Sequence, residues 1–411
     1  MSVNWTAVRP RPVTATARAN APAQAPAAKP SAAKLPEAPI AHLWRPLRGA
    51  LLFARGLVGK VTALFRPGFK PQDAASPDGR ARETWAALQA KMGLAPGAGV
   101  YAEHAGGSIT ATVWPYGQAL AAALDLAKLD GNYDQVKALA KGLSNFKKDG
   151  AYAPGPWGGK RLWDDNAWVG LDLIQAYGQT KDPAYLDQAE ALFPFFLAGL
   201  AKQGGVYWEE NNPRMSLNAC ANGPAAEYAL RLYMITKKPQ YLAYAKNLDG
   251  ALNGPLRSPE GMYYDNVGDD GTVGKEFYSY NQGAALGADV LWYKVTRDKK
   301  YLDRAQQTAK AALKHFGKGD RLWKQAPSFN AIFFRNLLTL DAVAPDPAYR
   351  KALDAYLDRA WKEGRDPKTG LFTQGGMGSY TAGKADMLDQ AGLTQLFALA
   401  AWPKDKLADV S

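Results

Sequence analysis

Thr180-Lys181-Asp182-Pro183-Ala184-Tyr185-Leu186-Asp187-Gln188-Ala189 is one copy of a pattern that returns along the chain. Thr236-Lys237-Lys238-Pro239-Gln240-Tyr241-Leu242-Ala243-Tyr244-Ala245 repeats it, as does Thr296-Arg297-Asp298-Lys299-Lys300-Tyr301-Leu302-Asp303-Arg304-Ala305. Looser copies surround Tyr133 and Tyr349. The five tyrosines are spaced by 52, 56, 60 and 48 residues, a period that marks a repeat architecture. Each copy reads as a tight turn that ends one helix and starts the next. Proline fits a first helical turn, and the Tyr, Leu and Ala that follow recur at helical spacing.

Ahead of each turn the sequence predicts an apolar helix poor in charge, over 112–128, 165–177, 218–234, 281–295 and 329–342. After each turn comes a more charged, amphipathic helix. A sixth apolar helix, 388–401, has the early helix 81–92 as its expected partner. Six hairpins then close a ring, with inner helices apolar nearly all round and outer helices carrying one polar face. The expected fold is all-α, an (α/α)6 toroid over 80–403. One face of the ring has short turns. The other has long loops rich in glycine and aromatic residues, Trp157, Trp208 and Tyr380 among them, which suit a cleft for the flat apolar faces of sugars.

The formal charge of +12 belongs mainly to the first 70 residues, which hold 11 Lys and Arg against one acid, Glu37. The remaining 341 residues are close to neutral, so a nucleic-acid partner is not expected. The Ala- and Pro-rich stretch 1–40 is expected to be disordered. Residues 41–70 read as a basic amphipathic segment. Arg45, Arg48, Arg55 and Lys60 interrupt its apolar run, which argues against a spanning helix and makes 41–66 a candidate for peripheral membrane contact. No secretory signal is recognisable, and the location, cytoplasmic or at a membrane surface, stays open. One cysteine, Cys220, excludes an intramolecular disulfide. With three histidines, and no ordered calcium-loop spacing at Asp265, Asp269 and Asp270, no metal or cofactor is expected. A monomer is expected.

The candidate chemistry lies in Leu162-Trp163-Asp164-Asp165-Asn166-Ala167-Trp168, where a Gly- and Pro-rich loop runs into an inner helix. One Asp at a helix start is explained by capping. A second beside it is harder to explain that way, because successive residues do not share a helix face. Both reach one cleft if the first precedes the regular helix. Retaining hydrolysis of a glycoside needs two carboxyls, one to attack and one to move a proton. The helix dipole is expected to lower both pKa values, while mutual repulsion and burial against Trp163 and Trp168 oppose it. Amides and aromatics at the helix starts are candidate sugar contacts: Trp114, Gln118, Trp163, Asn166, Trp168, Asn222, Tyr278, Tyr280, Asn281, Gln282 and Gln390. Glu227, one turn deeper than Asn222, is expected to orient a neighbour.

Trp163-Asp164-Asp165-Asn166-Ala167-Trp168, Asn218 to Ala226, Tyr280-Asn281-Gln282-Gly283 and Leu388-Asp389-Gln390-Ala391 together resemble glycoside hydrolase family 76, the endo-α-1,6-mannanases, over roughly 95–402. The resemblance implies an (α/α)6 fold and cleavage of α-1,6-mannoside linkages within a chain, with retained configuration. Asp164 would then be the nucleophile and Asp165 the general acid/base, with an oligo- or polysaccharide of the mannan type as substrate. Members that digest external mannan are usually exported. A transglycosylase on mannose-containing glycans and a non-catalytic glycan-binding ring are the alternatives. A sugar epimerase on the same ring would need a histidine pair at the cleft, and only His104 lies on a suitable loop.

Overall fold

The computed structural model describes residues 76–95, 99–212, 215–381 and 384–410. The expected tail (1–40) and amphipathic segment (41–70) lie outside the described residues.

The repeated turn works through one backbone conformation. Lys181, Lys237 and Arg297 have φ of 60°, 57° and 61°. Each donates its N–H to the carbonyl four residues back, on Tyr177, Tyr233 and Tyr293. Left-handed backbone costs a side-chain-bearing residue about 1–2 kcal/mol. Each cation also lies 5.6, 5.5 or 5.9 Å from the ring of that same tyrosine, a contact that offsets about 0.5–1 kcal/mol at an exposed site. The preceding threonine hydroxyl donates to a carbonyl of the last turn and accepts the N–H two residues on. The chain reverses there within a few residues.

The described residues form thirteen α-helices, and these turns join three pairs of them. In chain order they are α1 Pro77–Met92, α2 Val113–Asp130, α3 Asp134–Gly142, α4 Trp163–Thr180, α5 Pro183–Ala191, α6 Phe193–Ala198, α7 Ala219–Thr236, α8 Pro239–Asn253, α9 Ser279–Thr296, α10 Lys299–Phe316, α11 Pro327–Asp341, α12 Pro347–Arg359 and α13 Met387–Ala401. The inner set is α2, α4, α7, α9, α11 and α13. Each packs on the next, and α13 packs back on α2, which closes the ring. Helix α1 packs on α13, the partner the sequence predicts. Burial follows the layers: α13 is buried without a break from Met387 to Leu399. In α10, by contrast, Ala305, Thr308, Ala309, Ala312 and Phe316 make one buried stripe. Inner helices touch closely where glycine removes the side chain. A Cβ on Gly283 would stand 2.6 Å from the Cα of Phe333, and one on Gly392 2.8 Å from that of Ser328.

The long loops carry short antiparallel strands. Strand β1 (Gly93–Ala95) pairs with β2 (Val100–Tyr101), and β3 (Lys147–Lys148) with β4 (Ala151–Tyr152). A three-stranded sheet is built from β5 (Ser216–Asn218), β6 (Asn266–Gly268) and β7 (Val273–Gly274), with Leu217 opposite Val267.

A second repeated device fixes these loops. The fourth residue of four inner helices is an amide that both donates to and accepts from the backbone of one loop residue. Asn166 holds Tyr152, Asn222 holds Val206, Gln282 holds Tyr263 and Gln390 holds Phe372, at 2.7–3.2 Å. In α11 the same position is Asn330, whose Nδ2 donates to the carbonyl of Leu322 at 3.0 Å. In α2 it is Tyr116, whose hydroxyl donates to the carbonyl of Gly99 at 2.5 Å. Each loop is thus tied to the first turn of the helix it leads into.

Candidate active site

Helix α4 begins at Trp163, with Leu162 extended before it (φ −102°, ψ 138°). Both Asp164 and Asp165 therefore lie inside the first helical turn, and the expected lead-in, with Asp164 ahead of the helix, is not how the pair is arranged. The two carboxylates have unlike surroundings. Asp164 accepts the Asp165 amide N–H on Oδ1 and the Trp208 indole N–H on Oδ2, both at 3.0 Å. The buried Cys220 thiol also helps to lower its pKa. Asp165, 7% exposed, meets burial and the charge of Asp164. Among the described residues no lysine or arginine forms an ion pair with either.

Of the opposing effects expected from the sequence, burial outweighs the helix dipole. It pushes Asp164 up to about 6, with the donors pulling the other way. Burial and then the Asp164 charge hold Asp165 well above the usual carboxylate range. The pair titrates as a unit, with its shared proton favouring Asp165.

Aromatic residues surround the pair. Tyr280 stacks on Phe329 at 4.2 Å, and Trp114 lies 6.2 Å from Phe329, nearly parallel to it. Tyr380 meets Trp114 edge-on at 4.9 Å, and Tyr278 packs edge-on against Phe329. Burial, then the charges of Asp165 and Asp164, push the Tyr380 hydroxyl up to about 12. Trp168, Ala284 and Ile332 form an apolar floor, with Trp114, Leu171 and Tyr280 packed around it. Trp114, Trp168, Tyr278 and Tyr280 thus lie close to one another.

Several other candidates have different jobs. Asn166, Asn222, Gln282 and Gln390 are fully buried. Their amides are taken up by loop backbone, so they hold the loops rather than sugar hydroxyls. Trp163 donates its indole N–H to the carbonyl of Phe195 and stacks on that ring at 5.3 Å, which makes it part of the packing behind the site. Gln118 lies deeper, where its Oε1 accepts from Gln395 at 3.0 Å.

Asn281 does reach the site. Its Nδ2 donates to Oδ1 of Asp265 at 3.1 Å, while Asn266 donates to Oδ2 at 2.8 Å. Asp265 is a third carboxylate here, and its charge raises the pKa of both Cys220 and Tyr280. From the sequence Asp265 stands out only as one of three acids, with Asp269 and Asp270, that lack the spacing of a calcium loop. Those two turn elsewhere, Asp269 accepting from Gln203 and Tyr207 on the loop before α7 and Asp270 from the amide of Thr272 in its own turn. Asp265 differs because it leads into β6, beside the already suspected Asn281.

Beneath the floor a cavity of about 40 Å3 is lined by Gln118, Asp172, Glu227, Arg335, Asn336 and Gln395, among others. Arg335 pairs with Asp125, which also accepts from Gln175 at 3.0 Å. Glu227 accepts from Arg231 at 3.3 Å and Asn336 at 3.2 Å. It is thus part of the lumen network. Among the described residues no group of three or more His, Cys, Asp or Glu side chains is placed to hold a metal ion. No described helix is long and apolar enough to cross a membrane.

The sequence pattern of glycosyl hydrolase family 76 matches residues 97–402. The chain is similar to the family 76 glycoside hydrolase (mannosidase) Bt3792 of Bacteroides thetaiotaomicron VPI-5482, at 26% identity over 78% of this chain and 97% of that one, with a TM-score of 0.69. It shares its fold with an inactive variant of the α-1,6-mannanase of Salegentibacter sp. HEL1_6, in which two successive aspartates are asparagine, in complex with α-1,6-mannotriose. That likeness is 22% identity over 79% of this chain and 99% of that one, with a TM-score of 0.67. The unsaturated glucuronyl hydrolase of Formosa agariphila is 28% identical over 130 residues, 30% of each chain, so the match spans under a third of that curated relative.

Proposed function

The chain belongs to glycosyl hydrolase family 76, and from that premise we propose that it cleaves α-1,6-linked mannosides in a mannan-type glycan by a retaining mechanism. The observation that carries this reading is the asymmetry of the adjacent carboxylates. The Asp165 amide and the Trp208 indole hold Asp164 charged, while burial and the neighbouring charge keep a proton on Asp165. Asp165 gives that proton to the glycosidic oxygen as the bond to C1 breaks. Asp164 attacks C1 and forms a glycosyl ester. Asp165, now a carboxylate, takes a proton from water as its oxygen bonds to C1, and Asp164 is released. The aromatic residues from Trp114 to Tyr380 would support the sugar faces, and Asp265 with Asn281 would face the hydroxyls. The mannosidase similarity and the inactive double-aspartate variant of the Salegentibacter enzyme support the same reading.

The test is to incubate the full chain with α-1,6-mannooligosaccharides and follow the anomeric protons by NMR. The expected first product is the α-anomer. A β-anomer would replace the retaining route with an inverting one, and binding without cleavage would leave a glycan-binding ring. Longer products at high sugar concentration would show that the intermediate passes to a sugar hydroxyl rather than water. Activity should fall below about pH 6 as Asp164 gains a proton. It should fall again at higher pH, as Asp165 loses its own.

A further inference from the structure

Asp389 is the third residue of α13 and is 3% exposed. In a capping box the third helical residue turns its side chain back to the N–H of the cap. Asp389 reaches elsewhere. Asp386 caps the helix by accepting the Asp389 N–H at 2.8 Å, and the Asp389 carboxylate serves two other segments. Its Oδ1 accepts the backbone N–H of Ser328 at 3.2 Å and the Ser328 hydroxyl at 2.9 Å. Its Oδ2 accepts the backbone N–H of Tyr380 at 2.9 Å. One buried carboxylate thus joins α13, the start of α11 and the loop that enters α13.

Both partners lead to the aromatic residues around the catalytic pair. Ser328 is followed directly by Phe329, whose ring stacks on Tyr280. Tyr380 meets the ring of Trp114 at 4.9 Å and that of Phe329 at 6.3 Å. Tyr380 is nonetheless 50% exposed, so its place depends on its backbone as much as on its ring. Ties stand on either side of it. Gly378 donates to the carbonyl of Trp323 at 2.9 Å, and Thr381 donates to Oδ2 of Asp386 at 3.1 Å. A Cβ on Gly378 would stand 2.3 Å from the carbonyl oxygen of Lys324, so the loop passes there only without a side chain.

We propose that Asp389 is a positioning residue for the glycan: with Tyr380 on one carboxylate oxygen and Ser328 on the other, it sets the gap between the Tyr380 and Phe329 rings. This role rests on the cleft being the mannoside site. An amide would not serve in its place. Asparagine has one acceptor oxygen, and its NH2 would face either the Tyr380 N–H or the Ser328 donors. A carboxylate accepts on both sides. Proton transfer and attack at Asp164 and Asp165 do not pass through Asp389. Its loss should therefore be read in sugar binding rather than in turnover.

The experiment compares the full-length wild type with Asp389→Asn, Tyr380→Ala and the double variant. It reads kcat and KM on α-1,6-mannooligosaccharides, and the near-UV circular dichroism of the free proteins. Asp389→Asn should raise KM roughly 10-fold, equivalent to about 1.4 kcal/mol, with little change in kcat. Tyr380→Ala should act in the same direction. The double variant should fall well short of the product of the two effects, because the first substitution already releases what the second removes. Asp389→Asn should also lose the near-UV signal of the Tyr380–Trp114 contact, as Tyr380→Ala does, with the far-UV spectrum unchanged.

Effects that multiply in the double variant overturn the proposal, as does an Asp389→Asn protein with the wild-type KM and near-UV spectrum. If Asp389→Asn does not fold, Ser328→Ala, which removes one donor to Oδ1 and keeps every ring, takes its place under the same criteria. The two levels separate. A wild type that leaves the mannooligosaccharides intact removes the substrate reading, and the near-UV comparison still decides whether Asp389 holds Tyr380. A raised KM in Tyr380→Ala beside an unchanged Asp389→Asn removes only the positioning role.

Discussion

Two sets of carboxylates are buried in the same ring, and they are handled in opposite ways. At the mouth, Asp164 meets an indole and a backbone amide, and Asp165 meets Asp164. In the lumen, Asp125 meets Arg335 and Glu227 meets Arg231. Burial raises all four, Glu227 to about 7 even with a guanidinium beside it, and Asp164 to about 6 without one. Neutral donors keep a charge in place without cancelling it. A guanidinium cancels it, and the Arg335 pair with Asp125 also ties α11 to α2. The first arrangement leaves an anion free to form a bond, and the second makes a strut.

The largest effect on that contrast is expected from Asp164→Asn. We expect kcat to fall by at least about 1,000-fold, the scale of losing a nucleophile, with a melting temperature equal to or above that of the wild type. Hydrolysis rates and calorimetry on the same sample read both. A clear loss of stability would make Asp164 a strut as well.

Next comes Arg335→Ala, which leaves Asp125 buried without its cation. Urea unfolding should show a loss of about 3–5 kcal/mol, while kcat per folded molecule stays near the wild-type value. A stable but inactive variant would merge the two regions into one functional unit.

Asn222→Ala releases Val206 from α7 and leaves its backbone groups without that partner. A loss of about 1–3 kcal/mol is expected, and kcat should fall too, because the same loop carries Trp208. Normal activity would show that Trp208 does not depend on this anchor.

The smallest effect is expected from Asp172→Asn in the lumen. Burial holds the Asp172 carboxyl well above its ordinary value, and its Oδ2 has no hydrogen-bond partner. A raised folded-state pKa gives stability that is present at low pH and lost as pH rises through that value. Wild type and variant should therefore melt alike in acid, with the variant pulling ahead as pH increases. Parallel curves would show that Asp172 does not titrate in the folded protein.

The ring was legible in the sequence because its signals are local. The Thr–Lys–X–Pro turn and the helical periodicity act within a few residues, and each sets its own geometry. Adjacent aspartates at a helix start were legible for the same reason. What escaped depends on distant partners. The sheet pairs Ser216 with Gly268, and neither strand has a local pattern that announces the other. Asp265 becomes a site residue only when Asn281 reaches it. The amides at Asn166, Asn222, Gln282 and Gln390 were found in the right places but given the wrong partners. A sequence shows where an amide stands, and the fold decides which groups its hydrogen bonds reach.

The fourth-residue ties have a consequence for how such a molecule changes. A loop clamped beside the helix it enters behaves as a detachable fitting on a fixed frame. The stretch between a hairpin turn and its tie can lengthen or shorten while the helix start stays where it is. The repeat spacing of 48 to 60 residues already displays that tolerance. Grafting a foreign loop between turn and tie, with the tie kept, is therefore a route to a new specificity that leaves the Asp164–Asp165 chemistry in place.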